Sequence, residues 1–161
     1  MQKVIFLDID GVLNTKYWDN MKVRDQYGHT FDPNSVANLA RIIDKTGAEI
    51  VISSSWKCLG LGTLQKMWKD RKLPGEIIDV TPDNLSDELL LIADLFNMDQ
   101  LYIRGCEIKG WLALHKDVKH YIIIDDMDDF LPEQQNNLIL TDPNVGITEW
   151  NVQQAIMILN R

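Results

Sequence analysis

The sequence predicts an α/β fold in which helices cover both faces of a central parallel sheet. Short β-favouring runs alternate along the chain with helical patterns, as they do in doubly wound proteins. Three of the apolar runs, at 3–8, 48–52 and 121–124, end in carboxylate or hydroxyl side chains or are followed directly by them. Ligand sites of open α/β sheets lie at such strand ends. The pattern therefore predicts both the fold class and the sheet edge that carries the function.

The elements of the first half can be justified in order. Residues 3–8 have an apolar, β-favouring centre and are predicted as a buried first strand. Residues 14–32 are polar and aromatic without a clear period, so we expect an ordered loop or small flap over the strand tip. Asp32-Pro33-Asn34 is a helix-start signal, and apolar residues then recur at helical spacing up to Gly47. The next predicted elements are a strand over 48–52, a helix near 61–71 and a strand over 77–80.

The second half continues the alternation. A helix is predicted to start at Asn84, and its apolar face is formed by Leu89, Ile92, Ala93 and Phe96. A short strand or an extended link is expected over 101–103, followed by a helix from about 105 to 116. The remaining predicted elements are strands over 121–124 and 138–140 and an amphipathic helix over 149–160.

We expect one domain over residues 1–161, because no linker-like stretch divides the chain. A large cap domain would need a long insertion after Asp10 or after the serine turn at 53–55. The predicted flap at 14–32 is too short to form one. The composition, with 45% hydrophobic and 25% charged residues in a chain of 161, is that of an ordinary globular protein.

The charge and the cysteines limit the partners and the location. A net charge of −8 argues against broad, nonspecific nucleic-acid binding through a basic face, although a single strand end could be recognised in a local pocket. Cys58 and Cys106 match no metal-ligand spacing, and we expect reduced thiols. No signal peptide and no apolar run of membrane-spanning length is visible, so we expect a cytoplasmic location.

The most informative segment is Asp8-Ile9-Asp10-Gly11. Its two carboxylates repel each other unless a cation compensates, and a hard divalent ion such as Mg²⁺ suits oxygen ligands. A plain polar turn is the alternative interpretation. A calcium loop of the EF-hand type does not fit, because Gly11 stands at the fourth position rather than the sixth, and Asp19 stands where the bidentate Glu would be.

Strands of a parallel sheet end at one edge, so residues remote in sequence should converge there. Asp8 and Asp10 should meet the serine turn at 53–55 and the Asp125-Asp126 pair. The predicted metal ligands are Asp8, Asp10, Asp125 and Asp126. Asp129, four residues after Asp125, is an alternative to Asp126, although capping of a following helix is the commoner role of such a residue.

This set of side chains suits phosphoryl transfer. Asp8 could attack phosphorus, while Asp10 could protonate the leaving oxygen and later deprotonate the attacking water. The predicted phosphate contacts on this edge are the hydroxyls of Ser53 and Ser54 and the backbone at Gly11. A protein cation is also needed, and both Arg104 and Lys109 precede the third acidic strand end. The residues themselves leave the choice between these two cations open.

At these residues the chain resembles the haloacid dehalogenase (HAD) superfamily of phosphohydrolases. Asp8-Ile9-Asp10-Gly11-Val12-Leu13 is similar to its first motif, Ile52-Ser53 to its second and Ile124-Asp125-Asp126 to its fourth, with Arg104 or Lys109 as the third. Further segments resemble the HAD domain of "Swiss army knife" RNA repair proteins: Phe31-Asp32-Pro33, Val51 to Trp56, Val80-Thr81-Pro82, Arg104 to Leu112, and Thr141 to Thr148. The resemblance implies a three-layer Rossmann-like fold, Asp8 as the phosphorylated nucleophile, Asp10 as acid and base, and Mg²⁺ as cofactor. It also favours Arg104 slightly over Lys109.

Three nearby side chains have simpler interpretations. We expect Trp56 to pack at the sheet edge rather than to stack a base, Lys57 to be solvated and His29 to lie on the surface. Thr141 and Asp142, at another strand end, could support the metal ligands indirectly.

The sequence therefore predicts a Mg²⁺-dependent phosphomonoester hydrolase that works through an aspartyl-phosphate. Its substrate could be a nucleotide, the phosphate of a nucleic-acid end or a small metabolite, and no membrane partner is expected. A phospho-acceptor signalling module of the receiver type is the alternative, since it also combines strand-end aspartates with Mg²⁺. In a receiver, however, the acidic pair closes the first strand and the acceptor lies on a middle strand.

Overall fold

The computed structural model describes residues 2–83 and 102–161, and its centre is a five-stranded parallel sheet. In chain order the strands are β1 (Gln2–Leu7), β2 (Arg24–Asp25), β3 (Gly28–His29), β4 (Glu49–Ile52), β5 (Ile77–Val80), β6 (Val118–Asp125) and β7 (Leu138–Leu140). The order across the sheet is β5-β4-β1-β6-β7, and every neighbouring pair is parallel. The chain thus builds outward from β1 in one direction and then returns to its other side. The prediction of an α/β fold is confirmed.

Helices flank this sheet. The described α-helices are α1 (Lys16–Asp19), α2 (Pro33–Thr46), α3 (Leu61–Asp70), α4 (Ile103–Leu114) and α5 (Glu149–Leu159). Short 3₁₀ helices span Ser55–Leu59 and Pro132–Asn137. Within the described ranges, no helix combines the length and the apolar character needed to cross a membrane.

The side chains of β1 alternate between two apolar clusters, because successive residues of a strand point to opposite faces. Ile5 and Leu7 belong to the larger cluster, with buried residues of α2, α3 and α5. Val4 and Phe6 belong to the second cluster, which includes Trp111 of α4, and the Phe6 and Trp111 rings meet edge to face at 5.3 Å. Both faces of the central strand are therefore covered, which gives the three-layer arrangement.

Most predicted elements agree with the structure to within two residues, and α2 has the expected ends. The Asp32 carboxylate caps it by accepting a hydrogen bond from the Asn34 N–H at 2.9 Å, and Gly47 ends it in the left-handed conformation. β6 is longer than the predicted strand over 121–124. Its first residues are polar, but Val118 and His120 pair with Gln2 and Lys3 of β1.

The prediction of a short strand or extended link over 101–103 is wrong for the part that the structure describes. Tyr102 has a left-handed backbone with φ of 45°, and α4 already begins at Ile103. The helix predicted to start at Asn84, with Leu89, Ile92, Ala93 and Phe96 on one face, lies outside the described residues.

Residues 14–32, called the flap below, contain α1 and the antiparallel β2–β3 ribbon, where no regular element was predicted. The ribbon is attached to the end of α3. Arg71 Nε donates to Asp25 Oδ2 at 2.8 Å, and the Tyr27 hydroxyl donates to Asp70 Oδ2 at 2.5 Å. The flap is thus an ordered wall beside the ends of the strands.

Candidate active site

Three carboxylates meet where β1 and β6 end. Asp8 follows β1, Asp125 is the last residue of β6, and Asp126 comes next. One oxygen from each lies within 4.8 Å of the other two. Asp8 and Asp125 are buried, at 3% and 1% exposed. The parallel pairing of β1 with β6 brings together two segments separated by more than one hundred positions, as the sequence predicted.

Gly11 makes room for this cluster. Its φ of +76° is unfavourable for other residues, and a Cβ built there would lie 2.8 Å from the Asp126 Cβ and clash with the Asp126 carboxylate. The Thr141 hydroxyl, which follows β7, donates to the Gly11 carbonyl at 3.0 Å. The turn after Asp10 is therefore held close to the carboxylates from the other side of the sheet edge.

Arg104 is the cation of the cluster. Its Nη1 lies 3.1 Å from Asp8 Oδ2 and 2.5 Å from Asp125 Oδ2, and it also approaches the Ser53 carbonyl at 3.4 Å. Arg104 stands in the first turn of α4. The next residue, Gly105, would place a Cβ only 2.8 Å from the Leu131 nitrogen, so its lack of a side chain lets α4 approach the segment that follows β6.

Burial dominates the electrostatics of the two inner carboxylates. It raises the pKa of Asp125 to about 7, the negative charge of Asp8 adds to this rise, and Arg104 opposes it. Burial also raises the pKa of Asp8, against the opposing effects of Arg104 and of a hydrogen bond from Ser54. Burial alone would lower the pKa of Arg104, but Asp125 and Asp8 raise it above its ordinary value. The Arg104 guanidinium thus contacts two of the three clustered carboxylates, so carboxylates outnumber it in the cluster.

The donor set fits a hard divalent cation. All three groups are carboxylates, which Mg²⁺ and similar ions prefer as ligands. Asp8 Oδ1 is buried and, among the described residues, accepts no hydrogen bond. A buried carboxylate oxygen without a partner is costly unless a ligand compensates it. Asp8, Asp125 and Asp126 are therefore the residues that could hold such an ion.

The Asp10 carboxylate stands apart from this group, although the sequence suggested it as a fourth ligand. Asp10 is exposed, its Oδ2 accepts a hydrogen bond from Trp56 Nε1 at 3.0 Å, and its Oδ1 accepts one from Asn14 Nδ2 at 3.1 Å. It lines the same cleft as Asp8. Its position at the mouth suits contact with a ligand better than contact with an enclosed ion.

The two serines lie beside Asp8 in different roles. Ser53 is buried, and its Oγ has no hydrogen-bond partner among the described residues. Ser54 caps the 3₁₀ helix, where its Oγ accepts from the Trp56 N–H at 3.4 Å. The Ser53 hydroxyl is therefore available to a ligand, while the Ser54 hydroxyl lowers the pKa of Asp8 against the effect of burial.

The structure separates the two candidate cations. Lys109 is 66% exposed, and its Nζ pairs with Glu133 at 2.9 Å, whereas Arg104 contacts the buried carboxylates. Asp129 is outside the three-carboxylate group, and its carbonyl accepts from the Gly105 N–H at 3.2 Å.

Sequence reasoning missed two contacts of the segment after the serines. Lys57, expected to be solvated, is only 13% exposed and pairs with Glu107 at 2.7 Å and Asp83 at 2.8 Å. Trp56 does pack, with its ring 5.8 Å from that of Phe31, but its N–H also reaches Asp10. The Trp56 contact could have been predicted, because a partly buried indole N–H needs an acceptor and the carboxylates at the strand ends are nearby.

The resulting cleft has a volume of about 420 Å³, within the usual range of small-molecule sites. The side chains of the acidic edge form one wall, and flap residues form another. The lining residues are Asp8, Asp10, Gly11, Asn14, Lys16, Asp19, Arg104, Asp126, Met127 and Pro143.

Comparison with known proteins agrees with this geometry. The family model described as "HAD domain in Swiss Army Knife RNA repair proteins" matches residues 4–152. No curated protein matches the chain significantly. The matched range begins in β1, ends within α5 and includes all three clustered carboxylates and Arg104. The chain therefore belongs to the family of HAD domains found in Swiss Army Knife RNA repair proteins.

Proposed function

We propose that this domain is a Mg²⁺-dependent phosphomonoester hydrolase that works through an aspartyl-phosphate on Asp8. The observation that carries the proposal is the cluster of Asp8, Asp125 and Asp126, in which a buried Asp8 oxygen has no partner among the described residues. Arg104 contacts the first two of these carboxylates. Membership in a HAD family supports a phosphohydrolase in general. The ester type, the metal and the mechanism are our inference.

Mg²⁺ held by Asp8, Asp125 and Asp126 would supply positive charge that offsets the repulsion between these carboxylates and a phosphate. Arg104 supplies a second positive charge from the protein. Its Nη1 already contacts Asp8, and its side chain is 24% exposed and lines the cleft, so it can donate to a phosphate oxygen beside the nucleophile. The Ser53 hydroxyl is a further donor on the same edge, whereas the Gly11 N–H, the predicted backbone contact, already donates to the Asn14 carbonyl at 2.8 Å.

In the first step an Asp8 carboxylate oxygen forms a bond to phosphorus, and the bond from phosphorus to the leaving oxygen breaks. Asp10 gives its proton to the leaving oxygen, so the alcohol departs neutral. In the second step Asp10 takes a proton from water, and the water oxygen bonds to phosphorus. The bond from phosphorus to the Asp8 oxygen breaks, which regenerates the Asp8 carboxylate and releases inorganic phosphate. The hydrogen bonds from Trp56 and Asn14 hold the Asp10 carboxylate at the cleft mouth for both transfers.

Two observations bear on the substrate class. Within the described residues no large cap covers the cleft, so a bulky phosphorylated molecule can enter it, and the family description names RNA repair proteins. These points favour a nucleotide or a nucleic-acid end phosphate over other small metabolites. Neither cysteine forms a disulfide, and we infer a cytoplasmic location from this and from the composition. We also propose that residues 1–161 form one domain.

The direct test is turnover of a generic aryl phosphate with Mg²⁺ by the wild-type protein and by Asp8→Asn. Asp44→Asn is a matched control, because Asp44 is exposed on α2. We expect Asp8→Asn to abolish turnover and Asp44→Asn to retain it, with both variants folded. Unchanged turnover in Asp8→Asn would eliminate the mechanism. A phosphorylated Asp8 that persists for minutes with Mg²⁺ would indicate the receiver-type alternative instead.

A further inference from the structure

A second depression lies beside Trp56, whose Nε1 donates to Asp10 of the active-site cleft. It has a volume of about 350 Å³ and is lined by Tyr27, Ser55, Trp56, Cys58 and Leu59, a set we call the aromatic groove. None of these described lining residues is charged, whereas the neighbouring cleft is lined by six charged residues. The two depressions therefore differ sharply in chemistry, although they lie side by side.

Both aromatic rings of the groove are held by their polar atoms. The Tyr27 hydroxyl donates to Asp70 Oδ2 at 2.5 Å, and its backbone N–H donates to Asp25 Oδ1 at 2.7 Å. The Trp56 indole N–H donates to Asp10, and its ring packs against the Phe31 ring at a centroid distance of 5.8 Å. The groove is thus preformed: one ring comes from the attached flap, the other from the segment that follows the serine turn.

Trp56 connects the groove to the proposed chemistry. Its Nε1 is 3.0 Å from Asp10 Oδ2, an oxygen of the carboxyl group that would protonate the leaving group. A leaving oxygen within hydrogen-bond distance of Asp10 must be close to the edge of the indole. A leaving group that follows the Trp56 side chain from this point enters the aromatic groove, because Trp56 lines that groove.

We propose that the aromatic groove is the leaving-group subsite and that it takes the neutral, planar base of a nucleoside phosphate. This proposal rests on the proposed hydrolase function. Aromatic rings can stack with any of the bases. The uncharged lining supplies no positive charge that could bind a chain of phosphates. The phosphate of the same substrate would bind in the cleft, where Arg104 and Lys16 are the lining cations.

The test compares a 5′-nucleoside monophosphate with ribose 5-phosphate, which has the same ester but no base. The readout is the ratio of their kcat/KM values, because effects that both substrates share cancel in it. We expect the nucleotide to be favoured about tenfold or more in the wild-type protein. A short 5′-phosphorylated oligonucleotide, measured alongside, distinguishes a free nucleotide from a strand end. A preference for either over ribose 5-phosphate supports the subsite.

Tyr27→Leu and Tyr27→Phe form a matched pair, because both lose the hydroxyl contact with Asp70 but only Tyr27→Phe keeps the ring. We expect the ratio to fall about tenfold in Tyr27→Leu and to be retained in Tyr27→Phe. Leu59→Asp, at a residue 48% exposed, places a charge in the groove without disturbing the flap and should also lower the ratio. Equal ratios in the wild-type protein, Tyr27→Leu and Leu59→Asp would overturn the proposal.

Binding to Asp8→Asn separates this proposal from the hydrolase itself. Calorimetric titration should show that the nucleotide binds this variant more tightly than ribose 5-phosphate does, and that Tyr27→Leu removes the difference. Preferential binding without hydrolysis by the wild-type protein would contradict the hydrolase and retain the groove as a base site. Hydrolysis of both esters with equal efficiency and equal binding would contradict the groove and retain the hydrolase.

Discussion

In the absence of divalent cations, the free energy of unfolding should decrease as the pH rises from about 4 to about 7. The pKa of Asp125 is about 7 in the folded protein, because of burial and the neighbouring Asp8, and its ordinary value is 3.8. Between these values the folded state keeps a proton that the unfolded state has lost. The proton therefore stabilises the fold fully below the lower value, and this contribution is lost as the pH approaches 7.

The size of the effect follows from the two pKa values. A single group with this shift contributes about 2–3 kcal/mol less stability at about pH 7.5 than at about pH 5. Other carboxylates of the chain have lowered pKa values, for example Asp25 and Glu149, so the total pH dependence mixes several groups. The useful quantity is the difference in free energy of unfolding between the wild-type protein and Asp125→Asn, in which the amide cannot titrate.

The assay is urea unfolding in EDTA at the two pH values, repeated with excess Mg²⁺. In EDTA we expect the free energy of unfolding of the wild-type protein to fall by about 2–3 kcal/mol relative to that of Asp125→Asn when the pH is raised from about 5 to about 7.5. Mg²⁺ should stabilise the wild-type protein more at the higher pH, because the ligands must be deprotonated to bind it. A difference between the two proteins that is independent of pH, or that changes in the opposite direction, would refute this reasoning.

Three further predictions concern single side chains. Gly11→Ala should lower the free energy of unfolding by about 1–3 kcal/mol and weaken Mg²⁺ binding, since its Cβ meets Asp126; unchanged Mg²⁺ affinity by calorimetry would contradict the packing argument. Arg104→Gln should reduce kcat/KM for an aryl phosphate by at least about 100-fold, while Lys109→Gln, at an exposed ion pair, should not; equal losses would mean that the cation is misassigned. Trp56→Phe should reduce kcat about fivefold, as expected for one hydrogen bond to Asp10, and unaltered kcat would deny that contact a role.

The sequence was sufficient for the arrangement of the main elements and for the acidic edge. Asp8 and Asp125 follow apolar runs, and in a parallel sheet such positions meet wherever the strands are neighbours. The meeting of these carboxylates was therefore predictable from topology alone. Their role as metal ligands stays a prediction, as do the roles of Asp10, Ser53 and Arg104 in catalysis.

Choices between side-chain partners were less predictable, because they depend on segments far apart in the chain. Lys57 pairs with Glu107 and Asp83, which lie 50 and 26 residues away, and no local pattern indicates that pairing. Lys109 and Arg104 occupy the same helix, yet only Arg104 faces the carboxylates, because it stands in the first turn of α4. The separation of the Asp10 carboxylate from the cluster similarly depends on Trp56 and Asn14.

The central claim is that Asp8 becomes phosphorylated during turnover. Acid quenching of the protein within one turnover of a radiolabelled phosphomonoester, followed by proteolysis and identification of the labelled peptide, measures this directly. The account predicts acid-stable, base-labile label on Asp8, and none in Asp8→Asn. Label on another residue, or release of phosphate without any labelled protein, would contradict it.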